Sequence, residues 1–138
     1  MKSPHGVLET SLYISDLDRA VKFYRGVLGL RLIEDKYFEG GRGAALQVGS
    51  GPSVLLLFCA ELTLQGGMLL PHGTTGVGHV AFRIEAEEIP AWRERLRDHG
   101  IAIEQEFAFG ENPPSIYFRD PDRNVLELAV AKIWALEG

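Results

Sequence analysis

Two carboxylates and one imidazole occupy repeat-related positions of the sequence. Glu9 and His79 lie 70 positions apart in two similar alternating segments, and Leu56 and Glu127 lie 71 positions apart in two others. Two carboxylates and an imidazole suit a divalent cation such as Mn²⁺, Fe²⁺, Co²⁺, Ni²⁺, Zn²⁺ or Mg²⁺, with open positions for water or a bidentate substrate. The residue types predict a metal centre formed by Glu9, His79 and Glu127, and they leave the identity of the metal open.

Glu127 is the carboxylate with the clearest need for a partner. It shares one face of a predicted strand with Val125 and Ala129, because side chains alternate across a strand. A carboxylate among apolar neighbours is costly to bury unless it is paired or binds a cation. Taken singly, a Glu in a strand is usually solvated, and a His in an apolar strand is more often a hydrogen-bonded core residue. Three such residues at related positions favour the metal site, with Glu9 alternatively serving as a base.

Other side chains on the same predicted strand faces are candidates for contact with a substrate. Tyr13 and Tyr117 offer hydroxyl groups, and Arg83 and Arg119 offer cations to an anionic oxygen. For the two arginines, solvation at the edge of a sheet is an equally good interpretation. His72, in the connection between the halves of the chain, could act as an acid or base because imidazole titrates near neutral pH. It could equally be a surface histidine of a loop.

Alternation and helical spacing predict the elements that position these residues. The first half predicts one helix, capped by Ser15 or Asp16 and ended by Gly29, and four strands, over residues 7–14, 30–37, 44–48 and 54–59. Glycines at positions 40, 41 and 43 predict a turn before the third strand. The second half repeats this order, with a helix over 87–99 and strands over 77–84, 101–107, 115–119 and 125–130.

The repeat predicts the fold. The offset of 71 places Gly29 on Gly100, Leu46 on Tyr117 and Val54 on Val125. Two βαβββ modules, each too small to bury its own sheet well, are expected to pair. The predicted architecture is α+β, with tandem βαβββ modules that form a curved mixed sheet around a cleft. We expect one domain over residues 1–138, made of modules 5–60 and 76–131.

Composition restricts the partners. The chain has 138 residues, of which 46% are hydrophobic and 24% charged, which is typical of a globular protein. A net charge of −5 and the lack of a basic stripe argue against nucleic acid or an anionic membrane surface as a partner. The longest apolar runs are too short to span a bilayer, and the N-terminal MKSPHGVLE lacks the core of a signal peptide, so the expected location is cytoplasmic. A single cysteine, Cys59, excludes an internal disulfide.

Three segments carry a family resemblance: LETSLYISDLDRAVKFYRGVLGL at 8–30, GVGHVAFRI at 76–84 and SIYFRDPDRNVLELA at 115–129. They resemble the vicinal oxygen chelate (VOC) superfamily, which includes glyoxalase I, the bleomycin-resistance proteins and the extradiol dioxygenases. The resemblance implies paired βαβββ modules in a glyoxalase-like fold, with metal ligands at Glu9, His79 and Glu127. It also implies a homodimer, in many members of which the first-module ligand comes from one subunit and the second-module pair from the other.

The sequence departs from individual branches of this superfamily. Glyoxalase I has a fourth protein ligand where this chain has Leu56, and extradiol dioxygenases have His where it has Glu9. Ser115 and Tyr117 resemble the SxYF segment of the fosfomycin-resistance enzymes, which again have His at the first ligand position. Arg123 stands where many relatives have glycine, and Asn124 is the residue expected to take a left-handed conformation if the turn needs one.

Two classes of function follow from this reading. The leading hypothesis is a metal-dependent lyase, isomerase or transferase that chelates neighbouring oxygens of a small substrate and stabilises an oxyanion or enediolate. Glu9, Tyr117 and His72 are its candidate catalytic residues, with Ser115 among those that would bind the substrate. The alternative is a metal-free binding protein of the bleomycin-resistance type, which the presence of all three metal-ligand residues disfavours.

Overall fold

The computed structural model describes residues 2–38, 43–66 and 70–136, and only the backbone of residues 34–38. The chain divides into two compact units, Met1–Gly76 and Val77–Gly138, here called the first and second units. Each unit contains one four-stranded sheet. The single domain with modules 5–60 and 76–131 stays a prediction.

The first unit has the predicted β-α-β-β-β order, followed by one short additional helix. Its strands are β1 (Glu9–Tyr13), β2 (Arg31–Phe38), β3 (Gly43–Gln47) and β4 (Val54–Phe58), and its helices are α1 (Leu17–Gly26) and α2 (Ala60–Thr63). The strands lie in the order β1-β4-β3-β2, with β1 parallel to β4 and the other neighbours antiparallel. The sheet is therefore mixed, as the βαβββ pattern requires, because β1 reaches β4 only through a crossover.

Local chemistry fixes the ends of α1. The Asp16 carboxylate accepts a hydrogen bond from the Arg19 backbone N–H at 3.0 Å, so Asp16 is the N-cap. Apolar residues at helical spacing, including Ala20 and Tyr24, are fully buried against the sheet side of the unit. Gly29 has a φ of 70° just after the helix, a left-handed conformation that glycine adopts without a steric penalty.

The second unit repeats the arrangement. Its strands are β5 (His79–Arg83), β6 (Gln105–Phe107), β7 (Ser115–Arg119) and β8 (Val125–Ala129), and its helix is α3 (Ile89–Asp98). The strand order is β5-β8-β7-β6, with β5 parallel to β8 and the other neighbours antiparallel. Short 3₁₀ turns precede α3 at Ala86–Glu88 and follow β8 at Ala131–Trp134.

The register of the parallel strands confirms the repeat at residue level. Glu9 pairs with Val54 across β1 and β4, and His79 pairs with Val125 across β5 and β8. Glu127 pairs with Ala81, as Leu56 pairs with its counterpart in β1. Tandem βαβββ modules with mixed sheets are thus confirmed, and the class is α+β.

Some predicted details are wrong. Tyr117 pairs with Glu127 while Ala45, not Leu46, pairs with Leu56, because the loop between β3 and β4 is one residue longer than the loop between β7 and β8. Strand β6 has only three residues, whereas a strand over 101–107 was expected. Helix α2 was not predicted, since four residues are too short to show helical periodicity.

The glycine-rich turn before β3 and the C-terminal segment complete the description. The predicted turn at glycines 40 and 41 lies outside the described residues. Ile133 of the C-terminal segment is half-buried, whereas Trp134 is 76% exposed and Leu136 is also exposed. Within the described ranges, every helix is too short and too polar to cross a membrane.

Candidate metal centre and adjoining pocket

A carboxylate and an imidazole meet on one face of the second sheet. Glu127 in β8 is 6% exposed, although its neighbours along the strand are apolar. His79 in β5 places its Nε2 atom 3.2 Å from Glu127 Oε1, and its own side chain is about half exposed. The predicted need of Glu127 for a partner is therefore met within the second unit, by the histidine that the repeat indicated.

The hydrogen bond of the other His79 nitrogen, Nδ1, limits what Nε2 can present to Glu127. His79 Nδ1 is 2.9 Å from the backbone oxygen of Val125, and because a carbonyl oxygen only accepts, Nδ1 carries a proton. Nε2 then faces Glu127 either with a second proton or with a free lone pair. A lone pair beside a carboxylate oxygen calls for a shared cation, and a histidine oriented by a backbone carbonyl is the usual arrangement of a metal ligand.

The distance between the two atoms is compatible with a shared ion. Nitrogen and oxygen ligands lie about 2.0–2.2 Å from a divalent metal, so two adjacent ligands at a right angle are about 3 Å apart. The observed 3.2 Å matches that separation. His79 and Glu127 are thus suited to hold two positions of a divalent cation.

The turn between β7 and β8 holds the start of β5, where His79 lies. The buried Asn124 side chain accepts a hydrogen bond from the Gly78 N–H at 2.7 Å and donates one to Asp120 Oδ2 at 2.9 Å. Arg123, with a φ of 70°, is the left-handed residue of the turn, so the expectation that Asn124 would take this role is wrong. The Asn124 side chain instead links the turn to the residue before His79.

Tyr117 lies beside the pair. Its ring stacks near the His79 ring, with 6.4 Å between the centroids and 22° between the planes. Burial raises the pKa of Tyr117, the negative charge of Glu127 and a hydrogen bond to that carboxylate raise it further, and the nearby Ser115 hydroxyl opposes them. Ser115 is fully buried, and its hydroxyl has no well-formed hydrogen-bond partner among the described residues. Tyr117 is therefore a neutral donor at neutral pH.

The matching face of the first unit carries Glu9, with an apolar residue where the second unit has Glu127. Glu9 is exposed on β1, next to the pairing position of Val54. Leu56, the counterpart of Glu127, is buried in an apolar cluster with Ala45 and Phe58. Within either unit, the described residues contain no group of three His, Cys, Asp or Glu side chains placed to hold a metal ion. The third ligand predicted from the sequence, Glu9, therefore belongs to a different unit from the other two.

Two further candidates meet in the first unit. The Tyr13 hydroxyl and His72 Nδ1 share a hydrogen bond of 2.7 Å, and the His72 ring stands edge-on to Phe58 with 4.8 Å between centroids. Burial raises the pKa of Tyr13. His72 is half-buried, so it is an ordered member of this cluster rather than a solvated loop residue.

The two candidate arginines have different surroundings. Arg119 lies 2.5 Å from Glu104 through its Nε atom and donates to the Arg123 carbonyl at 2.9 Å, which engages its guanidinium within the unit. The neighbouring Arg119 lowers the pKa of Glu104, which is consistent with a formed ion pair. Arg83 instead lines a pocket beside the His79–Glu127 pair.

That pocket has a volume of about 410 Å³ and lies entirely in the second unit. His79 and Glu127 stand at one part of it. Its other walls come from the sheet, the loop after β6 and the C-terminal segment, through Ala81, Arg83, Phe109, Ala129, Ile133, Trp134 and Leu136, among others. The contribution of the C-terminal segment was missed as a functional one. The available signal was the set of apolar residues at 133, 134 and 136.

Comparisons with known proteins agree with this architecture. The sequence profile described as Glyoxalase/Bleomycin resistance protein/Dioxygenase superfamily matches residues 6–128. Lactoylglutathione lyase of Haemophilus influenzae is 31% identical over 135 residues, covering 88% of this chain and 89% of the relative. Fosfomycin resistance protein FosX of Listeria monocytogenes is 29% identical over 124 residues, covering 89% of this chain and 87% of the relative.

Solved structures extend the comparison. Lactoylglutathione lyase from Agrobacterium tumefaciens has a TM-score of 0.88 at 30% identity, with 98% of this chain and 100% of that chain covered. A mutant of Listeria FosX, complexed with Mn(II) and 1S,2S-dihydroxypropylphosphonic acid, has a TM-score of 0.67 at 22% identity, with 95% of each chain covered. The second of these shows a shared fold.

Proposed function

Because the chain belongs to the Glyoxalase/Bleomycin resistance protein/Dioxygenase superfamily, we propose that it is a divalent-metal-dependent enzyme acting on neighbouring oxygens of a small substrate. The relatives named above include a lyase and a fosfomycin resistance protein, and the proposed reaction is that of a lyase, isomerase or transferase with an oxyanion-stabilising site. Their substrates are not carried over to this chain.

The observation that supports the proposal is the contact between His79 and Glu127. A buried carboxylate oxygen and an imidazole nitrogen, the ring oriented by a backbone carbonyl and the two atoms 3.2 Å apart, have the chemistry and spacing of two metal ligands. A divalent cation held there would polarise a substrate oxygen and stabilise negative charge on it. Glu9 is the proposed third ligand, or alternatively the base.

The residues around the pair have distinct proposed tasks. Tyr117, neutral beside Glu127, would donate a hydrogen bond to an oxygen that gains negative charge. The apolar walls of the pocket would exclude water from the reacting groups. Tyr13 and His72 form a hydrogen-bonded pair that would move a proton, with His72 as the acid or base.

We test the proposal with Glu127→Gln, which keeps the shape of the side chain but removes its charge. The expected result is a loss of divalent-metal affinity of more than about 100-fold, because a direct ligand matters more than the outer partners that orient it. Elemental analysis of protein purified without chelator, followed by thermal-shift titration with Mn²⁺, Ni²⁺ and Zn²⁺, measures the effect.

Glu104→Gln is the matched control, since it removes an exposed carboxylate that pairs with Arg119 in the same unit. It should leave metal binding unchanged. Stoichiometric metal in the Glu127→Gln protein would disprove the assignment. A wild-type chain with neither metal content nor stabilisation by divalent ions would favour the metal-free binding protein instead.

We also propose a homodimer that binds a small-molecule substrate, as the family resemblance implies. Sedimentation equilibrium measures the mass of the assembly directly. A cytoplasmic location stays a prediction from the sequence.

A further inference from the structure

The pocket of the second unit combines an apolar wall with a single cation. Its lining side chains from Phe109, Ala129, Ile133, Trp134 and Leu136 are apolar. Besides the His79–Glu127 pair, Arg83 is its one charged lining residue among the described ones. Apolar pockets with a few placed polar groups are typical small-molecule sites, in which the polar groups fix the orientation of the ligand.

Arg83 differs from every other arginine of the second unit. The remaining five each contact a carboxylate or an aromatic ring, at Arg93 with Glu106, Arg95 over Trp92, Arg97 with Glu94, and Arg119 and Arg123 with Glu104. Arg83 has neither kind of partner among the described residues, and it is exposed where it lines the pocket. Its guanidinium is therefore available to a ligand.

A guanidinium in this position selects for a particular chemistry. It presents several N–H donors in a plane that matches the two oxygens of a carboxylate or of a phosphate-like group. Hydrogen bonds of this charge-assisted kind are about twice as strong as those between neutral groups, and they would strengthen further where a bound ligand displaces water from the apolar wall. A neutral ligand of the same shape would leave the guanidinium without such a partner.

Arg83 and His79 are separated along β5. They lie on the same face of the strand, four residues apart. With a rise of about 3.3 Å per residue, their Cα atoms are about 13 Å apart. A molecule that contacts both side chains would therefore lie along the strand, against the apolar wall between them.

We propose that this pocket binds an elongated organic anion, with its charged group on Arg83 and its apolar body along Phe109, Ile133 and Trp134. The inference rests on the proposed function only in placing the reacting oxygens at the His79–Glu127 end. Arg83 is then the residue that determines specificity for an acidic substrate.

The test measures binding to the metal-loaded full-length chain by isothermal titration calorimetry. The probes are the ω-phenylalkanoates from 3-phenylpropanoate to 6-phenylhexanoate, the primary amide of each, and acetate. For at least one chain length, the acid should bind about tenfold or more tightly than its amide and than acetate. In Arg83→Met the preference for the acid should disappear, and Arg83→Lys should restore part of it.

Arg97→Met is the control, because Arg97 lies on α3 outside the pocket lining, and it should keep the preference. The inference is overturned if the wild type prefers no acid over its amide, if acetate binds as tightly as the best acid, or if Arg83→Met retains the preference. Metal content measured on the same proteins separates the two proposals. Metal retained with no acid preference overturns this inference alone, whereas a wild type without metal overturns the proposed function.

Discussion

The sheet face that carries Glu9 and the matching face that carries His79 differ most at the positions of Leu56 and Glu127. In the first unit, Leu56 packs with Ala45 and Phe58 in an apolar cluster. In the second, Glu127 is equally buried but contacts the histidine on the neighbouring strand. The same strand register therefore occurs with an apolar cluster in one unit and a polar pair in the other. The pairing of parallel strands determines where a side chain lies, whereas the residue type determines its chemistry.

The two units also differ in the loop that precedes their last strand. In the first unit, the loop between β3 and β4 contains Gly49 with a φ of 67°. In the second, the corresponding loop uses Arg123 at a φ of 70° and adds the buried Asn124 side chain. The second unit tolerates a strained residue next to a hydrogen-bonded network that holds the strand of His79.

The largest effect on stability is expected from truncating buried core side chains at equivalent positions of the two units. Leu57 and Leu128 are almost fully buried and pair with Leu12 and Phe82, which are themselves equivalent. Leu57→Ala and Leu128→Ala should each lower the free energy of unfolding by about 2–5 kcal/mol, because each leaves a cavity in its own sheet. Urea denaturation followed by circular dichroism measures both.

This pair of variants also tests the predicted single domain. We expect one cooperative transition that both substitutions shift to lower urea. Two transitions, with each substitution moving only one of them, would show that the units unfold independently and that the single-domain prediction is wrong.

An intermediate effect is expected at Asn124, whose counterpart in the first unit is Ser53. Asn124→Ala removes the hydrogen bonds from the Gly78 N–H and to Asp120 Oδ2, and it should cost about 1–3 kcal/mol of unfolding free energy. Ser53 is exposed, so Ser53→Ala should change stability by less than about 0.5 kcal/mol. Equal effects of the two substitutions in chemical denaturation would contradict the role given to Asn124.

The smallest effect is expected at Arg123. Arg123→Gly removes the penalty of a left-handed non-glycine residue, about 1–2 kcal/mol, but it gives the unfolded chain more freedom. The ion pair with Glu104 that it also removes is exposed and 3.5 Å long, so its contribution is small. We expect a net gain of about 0.5 kcal/mol by thermal denaturation. A loss of stability would mean that the turn depends on the arginine side chain.

Much of the scaffold was predictable because its signals are local. Alternation with a period of two identified both opening strands, and the order of elements identified the repeat. The face shared by His79 and Glu127 followed from counting along β5 and β8. The pairing of Ala45, and not Leu46, with Leu56 did not follow from such counting. It depends on the length of the loop between β3 and β4, and a glycine-rich sequence is compatible with more than one turn geometry.

Three features could be derived from residue types and spacing alone: the two βαβββ modules, the position of Glu127 on an apolar strand face and the pairing of that face with His79. The contacts of the arginines and the pocket wall required the folded structure, in which Glu104 engages Arg119, no described residue engages Arg83, and the C-terminal segment lines the pocket. The physical reason is that strand faces follow from backbone periodicity, whereas the partner of a long flexible side chain depends on residues distant in sequence.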